Sequence, residues 1–250
     1  MNSGFDLHKG IAAAVRDATG ACRFVREFAE AYANPVVDGD GCDQDDLGAA
    51  EARLGFPLPA SLHAVYALIG RRDDLTRVQD HLLAPGQLHL DDTGQVLVFR
   101  VENQHGAQWG VPLPALADPD PPAVFRPEVS GSAERLWRPF MDRVSMACVE
   151  MVLSEWMLSG EVFADNRELD DQAIDALERG FRRLPLPDYP LWADPDGRPM
   201  RWFGGDGVVL RDDAATWLWA RAASSEGIAR VRQALPGEWL MADDQRGERQ

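Results

Sequence analysis

Apolar and polar positions along the chain change period several times, and each change marks an element. Phe24, Phe28 and Tyr32 recur four apart, and Ile11, Val15 and Ala18 extend the stripe, so residues 5–33 read as helical. Gly20 weakens the middle, leaving one helix or two pieces, and Asn34 with Pro35 ends the run. A short helix over residues 47–54 follows, with Asp45 placed to cap it and Gly55 to stop it. Pro57 and Pro59 then force an extended turn, and Pro59 starts a helix with Leu62, Val65, Tyr66 and Ile69 on one face and Gly70 at its end.

Beyond the polar residues 71–80 the period drops to two. Leu88 and Leu90 flank His89, and Asp91, Asp92, Thr93 and Gly94 make a turn. Val96 to Val101 is the strongest strand signal in the chain, with shorter ones at Trp109 to Val111 and at Val124 and Phe125. A long helix capped by Ser132 is expected to run to Leu158 and end at Gly160, buried through Phe140, Val144, Cys148, Met151 and Trp156. Pro139 either kinks it or starts its main body. Residues 164–170 read as a polar joint, after which Asp170 or Asp171 caps a helix carrying Ile174, Leu177 and Phe181. Strand signals return at residues 199–203, 208–210 and 216–220, separated by turns at Gly204 to Gly207 and at Asp212 and Asp213. Ser224 or Ser225 caps a last helix with Ile228, Val231 and Leu235, and the residues from Ala242 read as a frayed tail. The sum is an α+β fold, a mixed or antiparallel sheet packed with helices, with an extra N-terminal helix.

Composition bounds the function. With 250 residues, 45% of them hydrophobic, the chain folds without needing disulfides or metal. Its net charge of −16 repels phosphate backbones, which sets nucleic acid aside as a partner. The same charge attracts a basic protein, though acidity also serves solubility alone. Cys22, Cys42 and Cys148 show no paired spacing, which suits reduced thiols in a cytoplasmic protein. The first ten residues lack an apolar signal core, and no run of 18 apolar residues exists to span a membrane.

Candidate chemistry is sparse. The acidic run from Asp38 to Asp46 invites a calcium loop, but Cys42, Asp43 and Ala49 stand where such a loop needs an oxygen ligand, a glycine and a glutamate. It reads as a solvated loop. No phosphate-binding loop, dinucleotide fingerprint, nucleophile elbow or zinc-binding histidine pair is present, and the five histidines are scattered. No catalytic, cofactor or metal residue is therefore assigned. Trp217 and Trp219 alternate on a strand, where Trp192 and Trp202 could join them in a core or on a concave anchoring surface. Glu102, Asn103 and Gln104 close a strand beside Trp109, either as a turn network or as the polar rim of a cleft.

Two of these stretches together carry a resemblance. The segment Leu54, Gly55, Phe56, Pro57, Leu58, Pro59 ahead of a helix resembles a signature of the SUKH superfamily, which includes bacterial immunity proteins and Smi/Knr-type fungal regulators. Phe99, Glu102, Asn103, Gln104, Trp109 and Gly110, followed by Pro121 and Pro122, are similar to a second signature. After the second helix the chain departs from the family, which often has Asn-Gly where Ile69, Gly70 and Arg71 stand here. The resemblance implies a SUKH-like domain over residues 45–240, preceded by a helix and acidic loop over 1–44 and followed by a flexible tail over 241–250. It further implies no catalytic residues and a protein partner, with Glu102, Asn103, Gln104, Trp109 and Gly110 as motif or partner-binding positions. Three functions compete: immunity against a basic toxin domain, regulation or scaffolding of the Smi/Knr kind, and a carboxylate-based enzyme with an aromatic cleft.

Overall fold

A computed structural model describes residues 4–128, 136–159, 163–205 and 207–241. The chain parts into two compact units, Met1–Ser159 and Gly160–Gln250. The boundary expected at residue 44 falls instead at 159, because the N-terminal helices are built into the first unit rather than preceding a domain.

The first unit contains α1 (Leu7–Ala14), α2 (Ala18–Tyr32), α3 (Gln44–Leu54), α4 (Ala60–Ile69), α5 (Asp73–Thr76) and α6 (Val144–Leu158). Its strands are β1 (Asp80–Leu82), β2 (His89–Leu90), β3 (Val96–Glu102), β4 (Ala107–Pro112), β5 (Ala123–Pro127) and β6 (Arg138–Met141). All pair antiparallel, in the order β1-β3-β4-β5-β6 with β2 also on β3. A register shift between Val98 and Arg100 turns Arg100 toward the same face as Trp109 and Phe125.

Helix α6 is buried from Val144 to Met157, as befits a helix apolar nearly all round. The rings of Phe28 and Tyr32 lie 5.4 and 5.3 Å from that of Trp156, whose Nε1 donates to the Tyr32 carbonyl at 2.9 Å. Thus α2 belongs to the core. Helix α6 starts at Val144, later than its sequence pattern suggests, and the expected cap Ser132 lies outside the described residues. Pro139 and Phe140 sit in β6, an edge strand, where a missing N–H is tolerated. Asp120 takes over the capping, accepting from the Ser145 N–H at 2.9 Å and its hydroxyl at 2.6 Å.

The second unit contains β7 (Ala164–Glu168), α7 (Asp171–Gly180), β8 (Arg182–Arg183), β9 (Arg201–Gly205), β10 (Val208–Asp213), β11 (Trp217–Ala222) and α8 (Ser225–Ala234). Its sheet is antiparallel in the order β7-β11-β10-β9-β8. Phe203, Leu210 and Ala220 stand in register on one face and pack with Ile174, Leu177, Ile228, Val231 and Leu235. On the other face Trp202, Arg211 and Trp219 align, with the guanidinium 5.9 Å from each ring. Trp192 does not join them; it lies in a turn outside the strands.

Two expectations need correction here. The polar joint at 164–170 contains strand β7, whose Asp165, Asn166 and Arg167 are buried by pairing with distant groups. Asp165 binds Arg232, and Arg167 donates to the carbonyls of Leu235 and Pro236 at 3.1 and 2.8 Å. Asp212 and Asp213 belong to β10 rather than to the turn, which is made by Ala214 and Ala215 at φ 56° and 58°. Asp212 stabilises that turn by accepting from the Ala215 N–H at 2.7 Å.

Candidate functional site

The five motif residues separate into two environments. Glu102 ends β3, and its carboxylate accepts from the N–H groups of Gln104 and Gly106, both at 2.8 Å. These bonds close the β3–β4 hairpin across His105, which takes a left-handed φ of 60°. Asn103 and Gln104 are exposed at the tip. Trp109 is 3% exposed, beneath the Arg100 guanidinium at 4.7 Å and edge-on to Phe140 at 6.1 Å. At Gly110 a Cβ would lie 2.4 Å from Val96 Cγ1 and 2.7 Å from the Leu97 carbonyl, so only glycine fits. Trp109 and Gly110 are therefore core positions that offer no surface to a partner. Only Asn103 and Gln104 do.

Arg100 anchors a buried ionic cluster that the motif reading missed. Its guanidinium meets Glu150 at 2.8 Å, Asp80 at 2.9 Å and Glu155 at 3.0 Å. Glu155 also accepts from the N–H of Gln79, and Glu150 from the Ser154 hydroxyl. Burial pushes the Asp80 carboxyl up to about 6, against the pull of Arg100 and with help from Glu155 and Glu150. The signal was in the sequence: an arginine within an aliphatic strand, and two glutamates within an apolar helix.

The acidic run forms a fixed, exposed block. Asp38, Asp43, Asp45 and Asp46 of the run are exposed, as is Asp73 at the start of α5. Arg71 pairs with Asp43 and Asp46 at 2.6 and 3.1 Å, and Arg77 with Asp73 at 3.3 Å. The loop is fastened to α4: Cys42 N–H donates to the Tyr66 carbonyl at 2.8 Å, and a Cβ on Gly41 would meet the Ala67 carbonyl oxygen at 1.9 Å. Buried Arg72 clamps Asp40 at 2.9 Å and Asp74 at 2.8 Å. Burial opposes ionisation of Asp40, yet the Val37 N–H and Arg72 hold its carboxyl below the usual range. Asp43, not Asp45, occupies the N-cap of α3, because the helix begins at Gln44. Among the described residues no group of three His, Cys, Asp or Glu is arranged to hold a metal, and no helix is long and apolar enough to cross a membrane.

No known relative emerges. No protein-family model, curated protein or solved structure matches this chain. Among the described residues, the acidic block beside α3, α4 and α5 is exposed and held in place by the fold.

Proposed function

We propose that this chain is a protein-binding module, an immunity protein that neutralises a basic toxin domain. The observation that carries the reading is the acidic block. Five exposed aspartates, Asp38, Asp43, Asp45, Asp46 and Asp73, sit on a loop and helix starts fastened to the core, in a chain of net charge −16. Arg71 and Arg77 offset part of that charge through their pairs with Asp43, Asp46 and Asp73, but acids remain in excess. A fixed acidic surface steers a basic protein at little reorganisation cost on docking. The resemblance to the SUKH superfamily supports the same reading. Its glycines here serve the backbone: Gly55 ends α3 at φ 84°, and Gly110 allows the close approach of β3 and β4. Partner recognition then belongs to the charged surface and to the hairpin tip at Asn103 and Gln104.

Capture from host lysate on immobilised protein, at low and high salt, tests this. The expected result is a basic toxin-like polypeptide that high salt releases, and whose activity the protein blocks on coexpression. Recovery of endogenous housekeeping proteins alone, with no protection against any neighbouring toxin, would replace immunity by the regulatory role.

A further inference from the structure

Arg100, Asp80, Glu150 and Glu155 place one positive charge among three carboxyls where little water reaches. Two of the acids are fixed in place. Glu150 and Glu155 project from α6, which is buried from Val144 to Met157, and their side chains are 6% and 0% exposed. Arg100 lies on β3, held between β1 and β4. Asp80 differs. It begins β1, a three-residue strand at the sheet edge, and its side chain is 13% exposed.

The cluster also fastens the backbone of that strand. The Glu155 carboxylate accepts from the N–H groups of Gln79 at 2.6 Å and Asp80 at 3.2 Å. Asp80 and His81 pair with Glu102 and Val101 of β3. Beyond them the anchors are uncharged. Leu82 is fully buried, and Leu83 donates its N–H to the Phe99 carbonyl at 2.8 Å and accepts at its own carbonyl from the Tyr66 hydroxyl at 2.6 Å. The other charges around β1 have their own partners. Glu102 accepts from the Gln104 and Gly106 N–H groups, Arg77 binds Asp73 and donates to the Leu82 carbonyl at 3.0 Å, and Arg72 binds Asp74. His81 is exposed. Ionised, Asp80 leaves the cluster with an excess of two negative charges, and neutral, with an excess of one.

We propose that Asp80 is a proton-operated latch, which on losing its proton frees residues 79–81 from Glu155 and from the edge of β3 while Leu82 and Leu83 stay docked. Acidification closes the strand again. Proton loss is easier in the open strand, where Asp80 faces water. In the closed one, burial pushes its carboxyl up to about 6 against the pull of Arg100, with Glu155 and Glu150 adding to the push. Opening is therefore favoured as pH rises from about 4 through about 6, and gains nothing further well above it. Each opening bares the backbone of Val101 and Glu102, next to the hairpin tip at Asn103 and Gln104.

Amide hydrogen exchange of the full chain, resolved by NMR and corrected for the intrinsic pH dependence of exchange, tests this. From about pH 5 to about pH 8, protection at Gln79, Asp80 and His81 should fall about tenfold. The amides of Leu83 and of Val149 to Leu153 in α6 should keep theirs. In Asp80→Asn, which has no proton to lose, the three amides should be equally protected at both ends of the range. Three results would overturn the latch: constant protection at residues 79–81 in the parent chain, a fall that α6 shares in equal measure, or a tenfold fall that persists in Asp80→Asn. The first two are read in the parent chain, so they decide the matter whether or not the variant folds.

Discussion

Arg100 sets one positive charge against the carboxylates of Asp80, Glu150 and Glu155, and all four groups are largely removed from water. Excess negative charge in a low-dielectric interior favours keeping a proton, and Asp80, at about 6, is the group that keeps it. An acid whose folded pKa exceeds its unfolded value stabilises the fold fully below the unfolded value, and that share is lost as pH rises through the folded one. Stability against urea should therefore decline between about pH 4 and pH 7, and Asp80→Asn should flatten that decline. An unchanged slope would place the proton elsewhere. Asp91 has the opposite sign. Burial opposes its ionisation, but donors from Trp137, Thr93, Val96 and Gln95 hold it at about 2, so its share is lost as pH falls from about 4 toward 2. Beneath the Arg100 guanidinium, Trp109→Ala should cost about 3–5 kcal/mol in urea unfolding, since it removes a buried ring and uncovers Arg100. Gly110→Ala should cost about 1–3 kcal/mol through overpacking against Val96 and Leu97. If Trp109→Ala instead kept its melting temperature and lost only binding, the core assignment of that ring would fall.

At the scale of elements, local chemistry was legible and distant chemistry was not. Gly55 ends α3 in the left-handed region, Asp170 caps α7 through the Ala173 N–H at 2.7 Å, and Ser224 caps α8 through the Gly227 N–H at 3.2 Å. Each cap acts within four residues of itself, so sequence alone exposes it. The two N-terminal helices were legible only in part. Their break falls at Asp17, which caps α2 at the Gly20 N–H, whereas Gly20 lies inside α2 and is glycine because a Cβ there would stand 2.4 Å from the Ala13 carbonyl oxygen. Asp17→Ala should cost about 1 kcal/mol in thermal or urea unfolding, the usual loss of a helix cap. Strands β6 and β7 escaped the pattern. Pro139 hides the first, and β7 buries Asp165 and Arg167 only through partners such as Arg232 and Leu235, nearly seventy positions later. A surface hollow lined by segments near residues 17, 61, 120 and 143 was illegible for the same reason, because those segments meet only in the folded unit.

For the molecule as a whole, charge is the property that reaches beyond contact distance. The aspartates of the acidic block are held by the fold, through the Arg72 clamp on Asp40 and the attachment of Cys42 to α4, so their field has a fixed direction. Asp38 and Asp45 are exposed within it, and replacing both by lysine spares the pairs that Arg71 makes with Asp43 and Asp46. The melting temperature should fall only slightly, by the equivalent of about 1 kcal/mol, because Asp38 sits in an exposed turn while lysine at Asp45 places a positive charge in the first turn of α3. Association with a basic partner should slow by several-fold to about tenfold at low salt, with little change in dissociation. The difference should vanish near 1 M salt, where screening shortens to about 3 Å and steering is lost. Stopped-flow or surface binding at a series of salt concentrations separates these arms. A double variant that associates as fast as the parent would remove the acidic block from the encounter, and would leave the hairpin tip at Asn103 and Gln104 as the surface to alter next, since it recognises at short range what charge cannot steer.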